Sequence, residues 1–245
     1  MSDLIFGRNS VFEYLENMND FEKLYIQKEI KNEKFNKIIK IAKKKNLNIE
    51  YIDKKKLDKL SNFQNHQGVL LLAKDYKYYT LEEILDYGEK QNKDPLIIIL
   101  DEITDPHNLG AIIRTSEAAG ATGVIIPKHR AASVNHTVHK TSAGATSFMR
   151  VCMVTNINQT IDTLKDRGYW IYGADGHTDK YYDEIDYAGK IGIVIGNEGK
   201  GISRLTKEKC DDLVKIPMYG KTESLNASTS AAIIIYGIIN QRKNG

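Results

Sequence analysis

Leu96-Ile97-Ile98-Ile99-Leu100, followed at once by Asp101-Glu102-Ile103-Thr104-Asp105-Pro106-His107-Asn108-Leu109-Gly110, decides how the chain is read. Five consecutive aliphatic residues leave no polar face for water, so they fit a strand covered on both sides, as in a parallel sheet between helix layers. The polar run after them leads into a helix holding Arg114 and Glu117. Strand-like segments recur at 123–126, 169–172, 191–195 and 213–216, with helical stretches between most of them. That alternation predicts a parallel α/β sheet with helices on both faces. The last helix is expected to begin near Asn226 and to run through Ile233, Ile234 and Ile238.

Upstream of this block, residues 76–94 read as a linker. Tyr76, Tyr78 and Tyr79 serve equally well as stacking surfaces for bases or as packing between domains. A helix follows, with Thr80 as its cap and Glu83 three residues on. Residues 1–75 read as a small α/β domain. Ser10 and Glu13 have the spacing of a capping box, which predicts Ser10 as an N-cap. A short strand is expected at Leu24-Tyr25-Ile26. A helix follows, with Phe35, Ile38, Ile39 and Ala42 at i, i+3, i+4, i+7 and with Lys34, Lys37, Lys44 and Lys45 mostly off that stripe. Strand 48–52, a short lysine-rich helix and the buried strand Val69-Leu70-Leu71-Leu72 complete it. The larger domain occupies 95–245. No internal repeat or low-complexity tract is visible.

The composition, 41% hydrophobic and 27% charged, supports a core and solubility. Apolar runs such as 96–100 and 231–235 are too short to span a membrane. The start MSDLIFGRNS lacks the basic and apolar regions of a secretory signal. Two cysteines, Cys152 and Cys210, without CxxC spacing or partner histidines, predict neither a disulfide framework nor a zinc site, and place the chain in the cytoplasm. The net charge of +3 hides an uneven distribution: between residues 23 and 59, 13 lysines face five acids. Such a field attracts polyanions by releasing their counterions. A lysine-rich proteome bias on a solvated face accounts for the same numbers.

Ligands of open parallel sheets bind beyond the carboxyl ends of the strands. Three ends carry unusual chemistry: the run from Asp101 to Gly110; Gly196-Asn197-Glu198-Gly199-Lys200-Gly201; and Pro217-Met218-Tyr219-Gly220 with Ser224-Leu225-Asn226-Ala227-Ser228. Generic motifs do not fit them. Residues 196–201 read GxxGxG rather than GxGxxG, no Ser or Thr follows the Gly-Lys pair, and no GxSxG elbow occurs. Each loop alone could be a tight turn.

Together they are specific. Asp105-Pro106-His107-Asn108-Leu109-Gly110-Ala111-Ile112-Ile113-Arg114-Thr115 resembles the first signature of the SpoU (TrmH-type) RNA methyltransferases. Ile195-Gly196-Asn197-Glu198-Gly199 resembles the second, and Ile216-Pro217-Met218 with Ser224-Leu225-Asn226-Ala227-Ser228 the third. Phe6-Gly7-Arg8-Asn9-Ser10-Val11 and His66-Gln67-Gly68-Val69 look like the opening and closing of that family's RNA-binding domain, so the resemblance covers nearly the whole chain.

The resemblance implies a knotted S-adenosylmethionine-dependent methyltransferase domain over 95–245, behind an RNA substrate-binding domain over 1–75. It implies a homodimer acting on ribosomal RNA, nearest to the branch that methylates a guanosine 2′-hydroxyl in 23S rRNA. A trefoil knot cannot be read from periodicity, and the general rarity of knots argues against one. By motif position, Gly196, Ile216, Met218 and Leu225 should bind the cofactor, and Asn108, Arg114, Glu198, Ser224 and Asn226 should be catalytic. The reaction requires no metal. Arg114 fits a fixed cation better than a base, since guanidinium stays protonated, and Glu198 could orient it through an ion pair. Taken singly, Asn108 and Asn226 could be helix caps, and Arg114 a surface ion-pair partner. A tRNA ribose methyltransferase and a non-catalytic rRNA-binding assembly factor are the alternatives; an NAD-linked reductase lacks its fingerprint.

Overall fold

A computed structural model describes residues 4–18, 21–29, 33–91 and 94–244. The chain divides into two compact units, Met1–Tyr76 and Lys77–Gly245.

The first unit runs β1 (Leu4–Phe6), α1 (Arg8–Asn17), β2 (Phe21–Gln27), α2 (Glu33–Lys44), β3 (Asn48–Ile52), α3 (Lys54–Leu60) and β4 (Val69–Ala73). Its sheet has the order β1-β4-β2-β3, with β2 and β3 parallel and β4 antiparallel to β1 and β2. α2 buries Phe35, Ile38 and Ala42 among Val11, Leu15, Leu24 and Leu71. Each large side chain so buried contributes about 1.5–3 kcal/mol. Glu33 in its first turn and Lys43 and Lys44 in its last complement the helix dipole. The expected Ser10 cap is not formed: α1 begins three residues earlier, with Gly7 as N-cap and Ser10 inside the first turn. The reason is the abrupt exit from β1. Gly7 adopts φ 90, a conformation glycine reaches without a Cβ penalty, and its carbonyl accepts from Val11 N at 3.0 Å.

The second unit contains α4 (Leu81–Gln91), β5 (Leu96–Asp101), α5 (Pro106–Ala118), β6 (Gly123–Pro127), α6 (His136–Thr141), β7 (Val151–Val154), α7 (Ile157–Asp166), β8 (Trp170–Ala174), β9 (Ile191–Gly196), α8 (Arg204–Lys209), β10 (Asp212–Val214) and α9 (Ala227–Asn244). All strand pairs are parallel, in the order β10-β8-β9-β5-β6-β7. Every residue of β5 is buried, as its apolar run requires. The stretch read as a linker contains α4, capped by Thr80: Glu83 N donates to Thr80 Oγ1 at 3.2 Å and Thr80 N to Glu83 Oε2 at 2.7 Å. Ile84 and Leu85 of α4 lie in this unit's core with Ile97, Ile99 and Ile125. β7 and α6 were not foreseen. β10 stops at Val214 instead of reaching Ile216, because it is an edge strand and Lys215 turns to pair with Tyr181.

From β7 at one edge the chain crosses the sheet, and β9 comes to lie beside β5, where Asp101 faces Gly196 in register. The connections reverse direction at this point. The loops after β5 and β9 therefore open side by side, which is where such sheets hold ligands.

Candidate active site

The loop after β5 begins with Asp101, 6% exposed, whose Oδ2 accepts Ser203 N at 2.8 Å and so ties down the far side of the β9 loop. Glu102 follows with φ 58, and its carbonyl accepts Asn197 Nδ2 at 2.9 Å. Asp105 caps α5, accepting His107 N at 2.9 Å, with Pro106 in the first turn. Asn108 is therefore not the cap. It is buried one turn into α5, and its amide Nδ2 lies 3.4 Å from Asp105 Oδ2.

The β9 loop is a tight reversal. Asn197 N donates to Gly201 O at 3.0 Å and Gly201 N to Asn197 O at 2.8 Å. Asn197 Oδ1 accepts from Gly199 N at 3.0 Å and Lys200 N at 3.3 Å. A Cβ on Gly196 would lie 2.2 Å from both Gly201 C and Ile202 N, so only glycine permits the backbone to close here.

Glu198, at the tip of this reversal, joins the three loops. Its Oε1 accepts Asn226 Nδ2 at 2.7 Å and also Asn108 Nδ2. Asn226 at the same time caps α9, its Oδ1 accepting Ser228 N at 2.9 Å and Ser228 Oγ at 2.6 Å. The cap reading and the site reading of Asn226 are thus both correct, one for each end of its amide.

The remaining residues are placed as follows. Ile216 and Leu225 are half-buried, whereas Ser224 and Met218 are exposed on the loop between β10 and α9. Neither Ser224 nor Met218 joins the Glu198 cluster. Arg114 is exposed on α5, and among the described residues no hydrogen bond or ion pair holds it. The expected Glu198–Arg114 pair is not formed; Glu198 Oε1 accepts the two amides instead.

Sequence reasoning passed over Asp105 and Asn197, which shape the loops. An Asp-Pro pair ahead of a helical run is a cap signal that could have identified the first. Gly110 has a reason too: a Cβ there would meet Thr141 Oγ1 at 1.9 Å, so α5 and α6 touch through it. His139 of α6 contacts Thr146 Oγ1, and His136 follows the α6 cap Asn135. Burial pushes the Cys152 thiol up to about 11 and the Cys210 thiol up to about 12. Both stay protonated at neutral pH, which suits packing rather than nucleophilic attack. Among the described residues no group of three or more His, Cys, Asp or Glu is placed to hold a metal, and no helix is long and apolar enough to cross a membrane.

Comparison with known proteins agrees with this arrangement. The SpoU rRNA methylase family profile matches residues 95–236, and the RNA 2′-O ribose methyltransferase substrate-binding profile matches residues 4–79. YacO of Bacillus subtilis, placed in the TrmH family of tRNA/rRNA methyltransferases, is 40% identical over 98% of this chain and 96% of its own. A TrmH-family relative from Staphylococcus saprophyticus is 42% identical over 98% of this chain and 96% of its own. Among solved structures, the SpoU methyltransferase AviRb of Streptomyces viridochromogenes, in complex with AdoMet, superposes with a TM-score of 0.71 at 24% identity, over 100% of this chain and 92% of that one. The A. aeolicus TrmH/SpoU tRNA modifying enzyme superposes with a TM-score of 0.58 at 30% identity, over 67% of this chain and 83% of that one. Three loops gathered on one carboxylate, on this sheet and following a substrate-binding unit in the chain, belong to a member of the SpoU family of RNA methyltransferases.

Proposed function

We propose that this protein transfers the methyl group of S-adenosylmethionine to the 2′-hydroxyl of a guanosine ribose in 23S ribosomal RNA, as a cytoplasmic homodimer. The observation that carries the reading is the Glu198 carboxylate, which accepts amide donors from both Asn108 and Asn226 and so holds the β5, β9 and α9 loops as one construction.

The residues suit the donor. Loop 196–201 brings backbone N–H and C=O groups to the sheet edge, and half-buried Ile216 and Leu225 offer apolar surface for an adenine ring, with Met218 and Ser224 on the same loop. We read the chain's return from β10 at the sheet edge to the Asn226–Glu198 contact as the passage that makes the trefoil knot. The bound donor would supply an electrophilic methyl on a sulfonium.

What the chain itself supplies is position and charge. Asn108, Glu198 and Asn226 fix the loops, and holding two reactants in line is worth several kcal/mol. Arg114 offers a planar guanidinium with N–H donors in a fixed fork. It would hold the ribose-phosphate and stabilise the oxygen as its proton is lost. That no carboxylate among the described residues pairs with it favours this role, since an ion-paired guanidinium would have to give up that partner to meet a phosphate.

A tRNA ribose is the second reading. It is favoured by the likeness, at 30% identity, to the A. aeolicus TrmH/SpoU tRNA modifying enzyme. The test is incubation of the protein and tritiated S-adenosylmethionine with unmodified rRNA and with unmodified tRNA. Label in 23S rRNA, mapped to one guanosine ribose, is the expected result. Label only in tRNA would select the second reading, and label in neither would end both.

A further inference from the structure

We propose that loop 61–68 of the first unit is a base-stacking platform, on which the ring of Phe63 takes an unpaired nucleobase of RNA while neighbouring cations hold the flanking phosphates. The inference rests on the reading of the chain as an RNA-modifying enzyme, and it names the feature of RNA that the substrate-binding unit takes.

Phe63 is 80% exposed. Asn62, Phe63 and Gln67 adopt φ of 51, 60 and 51, a left-handed conformation that side chains with a Cβ disfavour. Such a conformation persists only where the surroundings over-determine it, and here they do. Phe63 N donates to Asp58 O at 2.7 Å. The hydroxyl of Ser61, itself 3% exposed, reaches Asp58 O at 3.1 Å and Gln64 O at 3.2 Å. His66, 5% exposed, accepts Gly68 N on Nδ1 at 2.9 Å, which leaves its Nε2 to donate to Asp58 Oδ1 at 2.8 Å. Gln67 Oε1 accepts Arg8 N at 3.1 Å. Buried polar groups thus fasten both ends of the loop and display the ring outward, where it gains nothing from packing.

The surrounding charge fits an RNA strand. β1, β2 and β3 all end at the sheet edge where β4 begins, so Arg8, Lys28 and Lys54, which follow those strands, emerge beside the loop. Lys28 is paired with Asp53 at 3.4 Å, and the Arg8 guanidinium lies over the Phe35 ring, 6.0 Å from its centroid. The cations left to meet phosphate are therefore exposed Lys54 and Lys59, the latter in the turn of α3 that leads into the loop. Asp58 is engaged by His66, and Glu29 adds one opposing charge. A base stacks on an aromatic ring whatever its identity, because every base has a π-face. A paired A-form helix hides those faces, so the ligand is an unpaired base.

The test uses the full chain and a hairpin RNA carrying 2-aminopurine in its unpaired loop, with a fully paired duplex of the same stem as control. Stacking on the wild-type protein is expected to quench the fluorophore. Stacking is worth about 1–3 kcal/mol per base, so Phe63→Ala should weaken hairpin binding by about 5- to 150-fold and abolish the quench. Phe63→Leu should lose the quench as well, Phe63→Trp should keep it, and duplex binding should be the same for all variants. An equal loss on duplex and hairpin, or a hairpin quench unaltered in Phe63→Ala, overturns the platform. If the wild-type chain binds neither RNA, the reading of this unit as RNA-binding falls with it; if the wild-type binds and Phe63→Ala matches it, the platform alone falls.

Discussion

Gly196→Ala separates a backbone argument from a side-chain one. The added Cβ would lie 2.2 Å from Gly201 C and Ile202 N and 2.5 Å from Gly201 O, all main-chain atoms that cannot rotate away. Gly196 itself is held on β9, paired with Asp101 of β5, so relief must come from the loop. Moving residues 201–202 breaks the reciprocal Asn197–Gly201 bonds of 3.0 and 2.8 Å. Two backbone bonds at about 1 kcal/mol each and an overpacking cost of about 1–3 kcal/mol give roughly 3–5 kcal/mol. Because Glu198, Gly199 and Lys200 are exposed, the loop is expected to open locally rather than unfold the domain. Titration calorimetry with S-adenosylmethionine should then show affinity reduced by roughly 100- to 5,000-fold. The thermal midpoint should fall by only a few degrees, whereas the same energy lost globally would lower it by roughly 6–20 °C. Gly199→Ala is the control, since a Cβ there meets only Asn197 Oδ1 at 3.7 Å, and it should bind as the wild type does. Gly196→Ala with affinity within threefold of wild type and an unchanged midpoint would refute the claim that close backbone approach dictates this glycine.

Arg114→Ala is expected to abolish methyl transfer while donor affinity stays within a few fold, measured by tritium incorporation and calorimetry on the same preparation; near-normal turnover would remove Arg114 from its assigned role. Glu198→Ala leaves the Asn108 and Asn226 amides without their shared acceptor and should lower kcat/KM by roughly 10- to 100-fold, at about 1 kcal/mol or more per bond lost. Glu198→Gln keeps an oxygen for both amides and should retain most activity, so equal loss in the two variants would assign the carboxylate a role beyond joining the loops. The triple reversal Lys34→Glu, Lys37→Glu and Lys44→Glu should reduce the slope of log affinity for RNA against log salt by about 2, the release expected for three phosphate contacts. An unaltered slope would make the α2 lysines an ordinary solvated face.

What could be read in advance followed from burial and what could not followed from geometry. β5 and β9 were legible because strands covered on both faces must be apolar throughout. β7 was not: four residues, Val151–Val154, form a short edge strand whose second half is only partly buried, and its pattern matches many loops. Ser10 and Glu13 have capping-box spacing, yet the helix starts where Gly7 lets the chain turn, so one backbone conformation outweighed a side-chain motif. In the site, three loops could be assigned to one sheet edge from order and strand ends alone. Which donor meets which acceptor could not, and the carboxylate expected on Arg114 went to Asn108 and Asn226 instead. Pairings across 90 and 28 residues depend on sub-ångström placement that spacing does not encode.

The same contacts also settle a question the strands leave open. A half-buried strand fixes its register by alternation, since a slip by one residue exposes its apolar face. Leu96–Asp101 and Ile191–Gly196 have apolar residues on both faces, so a slip would exchange one aliphatic side chain for another at little cost. Two features resist it. A Cβ at Gly192 would lie 2.6 Å from Ile171 Cδ1, so the neighbouring β8 side chain fits only where the glycine sits. The rest are polar ties at the carboxyl ends, Asp101 to Ser203 N and the Glu102 carbonyl to Asn197 Nδ2, which form only when Asp101 faces Gly196. Those ties belong to the loops that carry Asn108 and Glu198. The groups that build the candidate site therefore also hold the central strands in register, and loosening them for a new substrate would give up strand specificity together with the site.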